Sequence, residues 1–250
     1  CGERVGEAWA VGTLRAVEAF AAAELGELAE ADQSARRAYR DFDSAADDWG
    51  RGFALLARGV VARGLGQWEH AADLLSDALG QGERIDHPLL IGMAGTLRGF
   101  VALQCGDVAG AERLAQSVLT SVEPHNPLAA VQVAPRVLLA SARLAAGDPP
   151  TAVGLLAPVA TAMHSPAVLF SRRQTLARYA AALLADGQPE PALHWARRAL
   201  DSPAEDVRSQ VVGFGVLASA LAANGEQVAA RQAADRAVSL AYGTEQVRER

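Results

Sequence analysis

The sequence contains no lysine. All 23 basic residues of this 250-residue chain are arginine, set against 29 acidic ones for a formal charge of −6. A GC-rich genome, in which Arg codons displace Lys codons, accounts for this without a functional cause. The absence still excludes chemistry. A P-loop needs its lysine on the phosphates, and a Schiff-base enzyme needs an amine. An acidic chain is also a poor surface for nucleic acid. Cysteine is nearly absent too. Cys1 and Cys105 form neither a disulfide framework nor a zinc pattern, and a reducing, cytoplasmic setting fits. Cys105 ends an apolar segment and reads as a buried thiol. The longest apolar stretch, 211–223, is shorter than the roughly 20 residues that span a bilayer, so no membrane role is expected. No secretory leader is visible. A chain opening on Cys rather than Met reads as a piece of something longer; a lipidated Cys1 would need an apolar leader that is not in view.

Aromatic residues make up only 5% of a chain that is half apolar. Alanine fills the difference, and alanine is the best helix former. Val, Ile, Tyr and Thr are too scattered for a series of strands. Composition therefore predicts an all-α protein.

One phrase recurs: "LGELAEADQSARRAY" from Leu25, "LGQWEHAADLLSDAL" from Leu65 and "CGDVAGAERLAQSVL" from Cys105. Its glycines are Gly26, Gly66, Gly106, Gly147, Gly187 and Gly225, at spacings of 40, 40, 41, 40 and 38. An alanine stands five residues after each: Ala31, Ala71, Ala111, Ala152, Ala192 and Ala230. Seven residues before each stands Ala19, Gly59, Gly99, Ala140, Ala180 or Ala218. Repetition at a fixed period marks a stacked array. The glycine follows an apolar helical segment, where a permissive backbone is needed. Asp, Glu or Gln comes next, and Asp107 and Asp148 can cap the following helix. The small residues allow two antiparallel helices to approach closely. A second mark, "DHP" at 86–88, "HNP" at 125–127, "HSP" at 164–166 and "DSP" at 201–203, separates the units and places Pro at a helix start. "DDW" at 47–49 holds the same place after the first unit.

These marks predict six helical hairpins at about 5–43, 47–84, 88–122, 127–163, 166–200 and 204–242, forming a single repeat domain over 1–250. No hairpin buries its apolar face alone, so neighbours stack into an α–α superhelix. Pro135 and Pro158 fall inside helices of the fourth unit, which is expected to be kinked or broken.

The chain here resembles the tetratricopeptide repeat (TPR) family. "GQWEHA" at 66–71 carries that family's turn: Gly, an aromatic two residues on, and Ala at the fifth. The other copies replace the aromatic with Leu28, Val108, Pro149, Pro189 or Gln227, and the family's Trp near the start of the first helix is missing. The period near 40 is longer than the family's usual length and is shared by HEAT and armadillo repeats; the Gly-to-Ala turn favours TPR. Residues 47–75 further resemble the C-terminal arrays of actinobacterial MalT-type and AfsR-type signal-transduction ATPases, which regulate transcription. That resemblance implies a non-catalytic sensor or protein-interaction part of a larger regulator. The alternative is a stand-alone adaptor holding a peptide or partner helix.

No catalytic motif is present, no cofactor is implied, and an enzyme is not expected. His87, His125 and His164 recur in the inter-unit loops. Adjacent helices sit about 8–10 Å apart, too far to share an ion whose ligand atoms lie at about 2 Å, so no metal site is expected. His70 and His194 read as surface residues. The family resemblance implies a groove lined by the first helix of each unit. Carried over by offset from the turn glycine, its residues are Phe20, Phe53, Arg63, Met93, Thr96, Phe100 and Gln174, with Leu56, Val60, Leu103, Val137 and Ser141 beside them. The chaperone-binding carboxylate clamp of the family needs lysine and cannot exist here. A protein or peptide partner, or a small effector, is expected to meet the N-terminal half of this groove. A homo-oligomer is left open.

Overall fold

The computed structural model describes residues 2–122, 130–162, 169–201 and 207–243. Among them are twelve α-helices and no strand. The helices pair in chain order. The first of each pair (A) are α1 (Gly2–Leu25), α3 (Asp48–Gly64), α5 (Pro88–Gln104), α7 (Ala130–Ala145), α9 (Leu169–Ala185) and α11 (Val207–Ala223). The second (B) are α2 (Leu28–Ser44), α4 (Trp68–Arg84), α6 (Val108–Val122), α8 (Pro149–Ala162), α10 (Pro189–Leu200) and α12 (Gln227–Tyr242). The observed helices fall within a few residues of the six expected hairpins.

Each A-to-B turn is built identically. All six turn glycines adopt positive φ, between 74° and 88°. The residue after each donates its N–H to the carbonyl five residues back, as in Glu27 to Ala22, Gln67 to Ala62 and Asp148 to Arg143, all at 2.9 Å. That same residue's carbonyl accepts from the alanine four residues on, opening the B helix. One residue thus closes one helix and starts the next, and the left-handed glycine makes the reversal possible. Asp107 caps α6 through the Gly110 N–H at 2.8 Å, and Asp148 caps α8 through the Thr151 N–H at 3.2 Å. Gln67, Glu27, Gln188 and Glu226 make no side-chain cap bond.

The chain divides into two compact units, Cys1–Pro127 and Leu128–Thr244. Within each, successive A helices touch one another and every B helix packs on the next A helix, whereas no successive B helices pack comparably. The A helices therefore lie on the inner side of each unit's curve.

In the first unit, hairpins interlock through small residues. Phe42 on α2 is fully buried with Ala16, Ala38 and Ala54, and the glycines of α1 and α3 that face its ring, Gly12 and Gly50, leave space for it. Gly59 does the same for Leu75: a Cβ there would lie 2.7 Å from the Leu75 side chain. The close approach is thus glycine against leucine rather than the two small residues, Gly59 and Ala71, meeting each other. One core cluster joins Leu55, Leu56, Leu74, Leu75, Ala78, Ala94 and Val101. Burying each leucine contributes about 1.5–3 kcal/mol.

In the second unit, α7 and α8 run unbroken through Pro135 and Pro158. Pro158 and Gly154, the residue whose carbonyl loses its helical donor, are both exposed, so that carbonyl is open to water. The Thr161 hydroxyl donates to the Ala157 and Pro158 carbonyls just beyond. A helix end with these outlets accommodates proline without breaking. Asn224 ties the last hairpin to the one before, donating to the Pro189 carbonyl at 2.9 Å and the Ala220 carbonyl at 2.8 Å. His125 and His164, with Pro127, Pro166 and Pro203, lie outside the described residues. No described helix is long and apolar enough to cross a membrane.

Candidate functional site

On the A helices, each offset from the turn glycine has its own environment. Ten residues before the glycine the side chain is buried in the first five hairpins, at Ala16, Leu56, Thr96, Val137 and Ala177. Thirteen residues before it the side chain is half-buried in all six, at Thr13, Phe53, Met93, Ala134, Gln174 and Val212. The first offset faces neighbouring helices. The second forms the accessible inner face.

On that face the first unit carries an aromatic run. Phe53 stacks on Trp49, one turn earlier on α3, with centroids 5.2 Å apart and planes 12° from parallel. The Phe20 ring of α1 lies 5.1 Å away, tilted by 44°. Trp49 also meets His87, at 6.1 Å. His87 is the N-cap of α5, its Nδ1 accepting the Leu90 N–H at 3.3 Å, which assigns it to a helix cap. Phe20, Phe53 and Met93 each pack, half-buried, against the core cluster of Leu55, Leu75 and Val101. Offset pairs of this kind are favoured aromatic geometry. Arg63 and Val60 are half-buried further along α3.

Two expected groove residues belong to the core instead. Thr96 is 2% exposed and Phe100 7% exposed. Leu56 and Val137 are likewise buried. These side chains fill the seam with neighbouring helices, which an offset carried over from a shorter repeat does not reveal. Leu103 is half-buried on α5. Gln174 is half-buried on α9, in the second unit. There Ser141 receives a bond from Arg178 at 3.1 Å, joining α7 to α9. Cys105 is exposed rather than buried, because it caps the end of α5 immediately before the turn glycine. His70 and His194 are exposed.

Two residues were not singled out by sequence. Trp49 appeared only as a unit separator; its signal is the spacing of four residues to Phe53, which places both rings on one helix face. Gln104 ends α5, half-buried, and both polar atoms of its amide are buried without a protein partner. An unsatisfied buried amide costs about 1–3 kcal/mol. The protein itself leaves both the donor and the acceptor of this amide unused.

One group of charges gathers at the joint before α3. Arg51 bonds Asp48 at the start of α3 and Asp43 at 3.2 Å, and Arg84 lies 3.6 Å from Asp48. The hydrogen bond from Arg51 holds the Asp48 carboxyl below its ordinary range. The hydroxyl and N–H of Thr151 do the same for Asp148. Burial raises the Tyr179 phenol. In the second unit, a hollow of about 500 Å³ between α10 and the last turn is lined mainly by charged side chains, among them Glu190, Arg197, Asp201 and Glu226. Arg197 and Glu226 approach to 3.6 Å across it. Among the described residues, no three His, Cys, Asp or Glu side chains gather closely enough to hold a metal ion.

Comparison with solved structures identifies the fold as TPR-like. NprR in complex with its cognate peptide NprX is 10% identical, with a TM-score of 0.68, over 95% of this chain and 69% of that one. BtubC from P. vanneervenii is 14% identical with a TM-score of 0.62, over 88% and 90%. The nearly identical TPR-like repeats of a kinesin light chain from Podosopora anserina are 20% identical with a TM-score of 0.53, over 75% and 93%. No family model matches the sequence, and no curated protein matches it. The architecture is thus an all-α, TPR-like α–α superhelical repeat.

Proposed function

We propose that the chain is a non-catalytic binding domain whose first unit receives an extended peptide or protein segment on its A-helix face. The observation that carries this is the half-buried aromatic run Phe20–Phe53–Trp49, with the Gln104 amide about three helical turns further on along the next A helix. Counted from their turn glycines, Phe53 and Gln104 are eleven positions apart, or about 16 Å along the helix direction. Five or so extended residues cover that distance. The rings supply an apolar seat and the amide pairs with a backbone group, the combination that interface centres favour. Arg63 stands ten residues beyond Phe53 on α3, half-buried. The solved structure of NprR in complex with its cognate peptide NprX supports the reading, since a protein of similar fold binds a peptide. A small effector is the lesser alternative, because the face is chiefly apolar.

The same reading extends to context: the chain serves as the cytoplasmic sensor part of a larger bacterial transcription regulator. What supports this is the resemblance of residues 47–75 to such arrays. A nucleotide switch or DNA-binding region in the full-length gene is the expected finding. A gene encoding the repeats alone leaves the adaptor reading.

The binding proposal is tested by selecting peptides from a random library on the intact chain. A selected peptide is then titrated by fluorescence anisotropy. Phe53→Ala and Gln104→Ala should each weaken binding by about 1–3 kcal/mol, with helicity retained by circular dichroism. Unchanged affinity in both folded variants overturns the assignment.

A further inference from the structure

The chain has a formal charge of −6, yet the A helices of its second unit carry charge of the opposite sign alone. Arg136 and Arg143 stand on α7, Arg172, Arg173 and Arg178 on α9, and Arg208 on α11, with no Asp or Glu on any of the three. Helix α8, which packs on both α7 and α9, has no charged residue. The described acidic residues of this unit lie beside the turn glycines, as Asp148, Asp186 and Glu226 do, or on and just after B helices.

Two of these arginines share the inner face. Gln174 holds the half-buried inner offset, thirteen residues before Gly187, and Arg178 follows it by one turn, also half-buried. At the Arg178 offset the other five hairpins carry Val17, Ala57, Leu97, Leu138 and Val216, all apolar. The Arg178 guanidinium crosses to α7, where Nη1 donates to the Ser141 hydroxyl at 3.1 Å. That hydroxyl donates in turn to the Val137 carbonyl at 2.7 Å. A hydroxyl positions a guanidinium but takes none of its charge. On α11, Arg208 stands one turn before Val212, the inner offset of that helix, and is half-buried. Other arginines serve the packing. Arg173 is buried and donates to the Ala199 carbonyl of α10 at 3.4 Å, and Arg136 donates to Gln132 on its own helix at 3.1 Å.

We propose that the inner face of α9 and α11 docks an acidic segment of a partner protein, one carboxylate on Arg178 beside Gln174 and a second on Arg208. Charge complementarity selects this occupant: Arg pairs with carboxylate through charge-assisted, forked hydrogen bonds, and the Gln174 amide adds a donor next to them. The two arginines differ in level by eight positions, about 12 Å along the helices. With about 9 Å between neighbouring helices, acidic residues about four or five apart in an extended chain reach both. The negative charge of the chain does not forbid this. Asp186 is eight residues from Arg178, about 12 Å, beyond the roughly 8 Å over which exposed charges act at physiological salt. A nucleic-acid backbone would need a larger basic patch. The inference rests on the chain being a binding domain, and not on the aromatic seat of the first unit.

The test uses the intact chain and a fluorescein-labelled peptide of alternating Glu and Ala, amidated at its C-terminus so that side chains supply the carboxylates. Its counterpart has Gln for every Glu. By fluorescence anisotropy the Glu peptide should bind about tenfold more tightly than the Gln peptide, and less tightly as salt rises. Arg178→Gln and Arg208→Gln should each weaken the Glu peptide by about fivefold or more, whereas Arg236→Gln, exposed on α12, should not. Circular dichroism checks that each variant folds. If Arg178→Gln unfolds, the peptide pair and Arg208→Gln decide the matter. Equal affinity for the two peptides overturns the proposal, as does no binding of the Glu peptide at about 1 mM. An equal loss in Arg236→Gln also overturns it, since the attraction is then not seated on this face. Phe53→Ala should leave the Glu peptide unaffected. A loss there places the peptide on the aromatic seat and overturns the second-unit assignment alone, so the two readings fail separately.

Discussion

Two kinds of turn alternate along the first unit, and they close the same way with different residues. Within a hairpin, the left-handed position is always glycine, as at Gly66 with φ 74°. Between hairpins it is Ala46 with φ 53° and Asp86 with φ 49°. The hydrogen bonds correspond. Asp47 donates to the Phe42 carbonyl at 3.0 Å and His87 to Gly82 at 2.9 Å, as Gln67 does to Ala62. The reversal is thus dictated by helix-end bonding, and the side chain decides only its cost. An L-residue in this region costs roughly 1–2 kcal/mol. The tight turns avoid the cost and the joints tolerate it.

The sharpest challenge to this comparison is Gly66→Val. A β-branched side chain at φ 74° should destabilise the chain by about 2–3 kcal/mol, read as a fall in the urea midpoint. An unchanged midpoint would mean the turn can be closed another way. Next comes the cap that only some turns possess. Asp107→Ala should cost about 1 kcal/mol, while Gln67→Ala, which removes no cap bond, should leave the midpoint where it is. Equal losses would show that the carboxylate cap contributes nothing of its own. In the joints the sign reverses. Ala46→Gly should gain about 0.5–1 kcal/mol, the strain relieved less the added entropy of the unfolded chain. Asp86→Gly should gain less, since Asp tolerates this backbone better than Ala. A loss at Ala46 would separate the two kinds of turn after all.

The smallest effect concerns pH at the first joint. The Arg51 hydrogen bond lowers the Asp48 carboxyl. A carboxyl lowered in the folded state contributes stability that is present above its ordinary range and is lost as pH falls through the folded value. Melting temperature should therefore drop on acidification slightly more steeply in wild type than in Asp48→Asn. Superimposable profiles would show that this surface pair carries no stability.

Sequence disclosed what depends on backbone conformation. Gly66 and its five counterparts could be read because a left-handed turn restricts residue type so strongly. The caps at Asp107 and Asp148 followed from the same local physics. Side-chain environment was less legible. Phe53 and Phe100 are the same residue on equivalent helices, yet Phe53 rims the inner face and Phe100 is enclosed. Seven positions are nearly two full turns, so both rings project from almost the same helix face; what separates them is the level along the helix and the helix next door, neither written at the residue itself. Cys105 looked buried from its apolar run, but one residue from the glycine the chain has already turned outward. The Gln104 amide is marked by missing partners, and a pattern of residue types does not record partners that are missing.

The matched closures at Asp47 and His87 make hairpin two a cassette. Each flanking joint has one left-handed residue, Ala46 or Asp86, and the same five-back hydrogen bond, so a cut after Ala46 and another after Asp86 leave interchangeable ends. The span from the small A-helix residue to the B-helix alanine is twelve in all six copies, while the repeat length varies from 38 to 41. Length change therefore lies outside the turns, between one B-helix alanine and the next small A-helix residue. A gene of this kind can lengthen or shorten by copying or losing whole hairpins, each new junction inheriting a closure that already works.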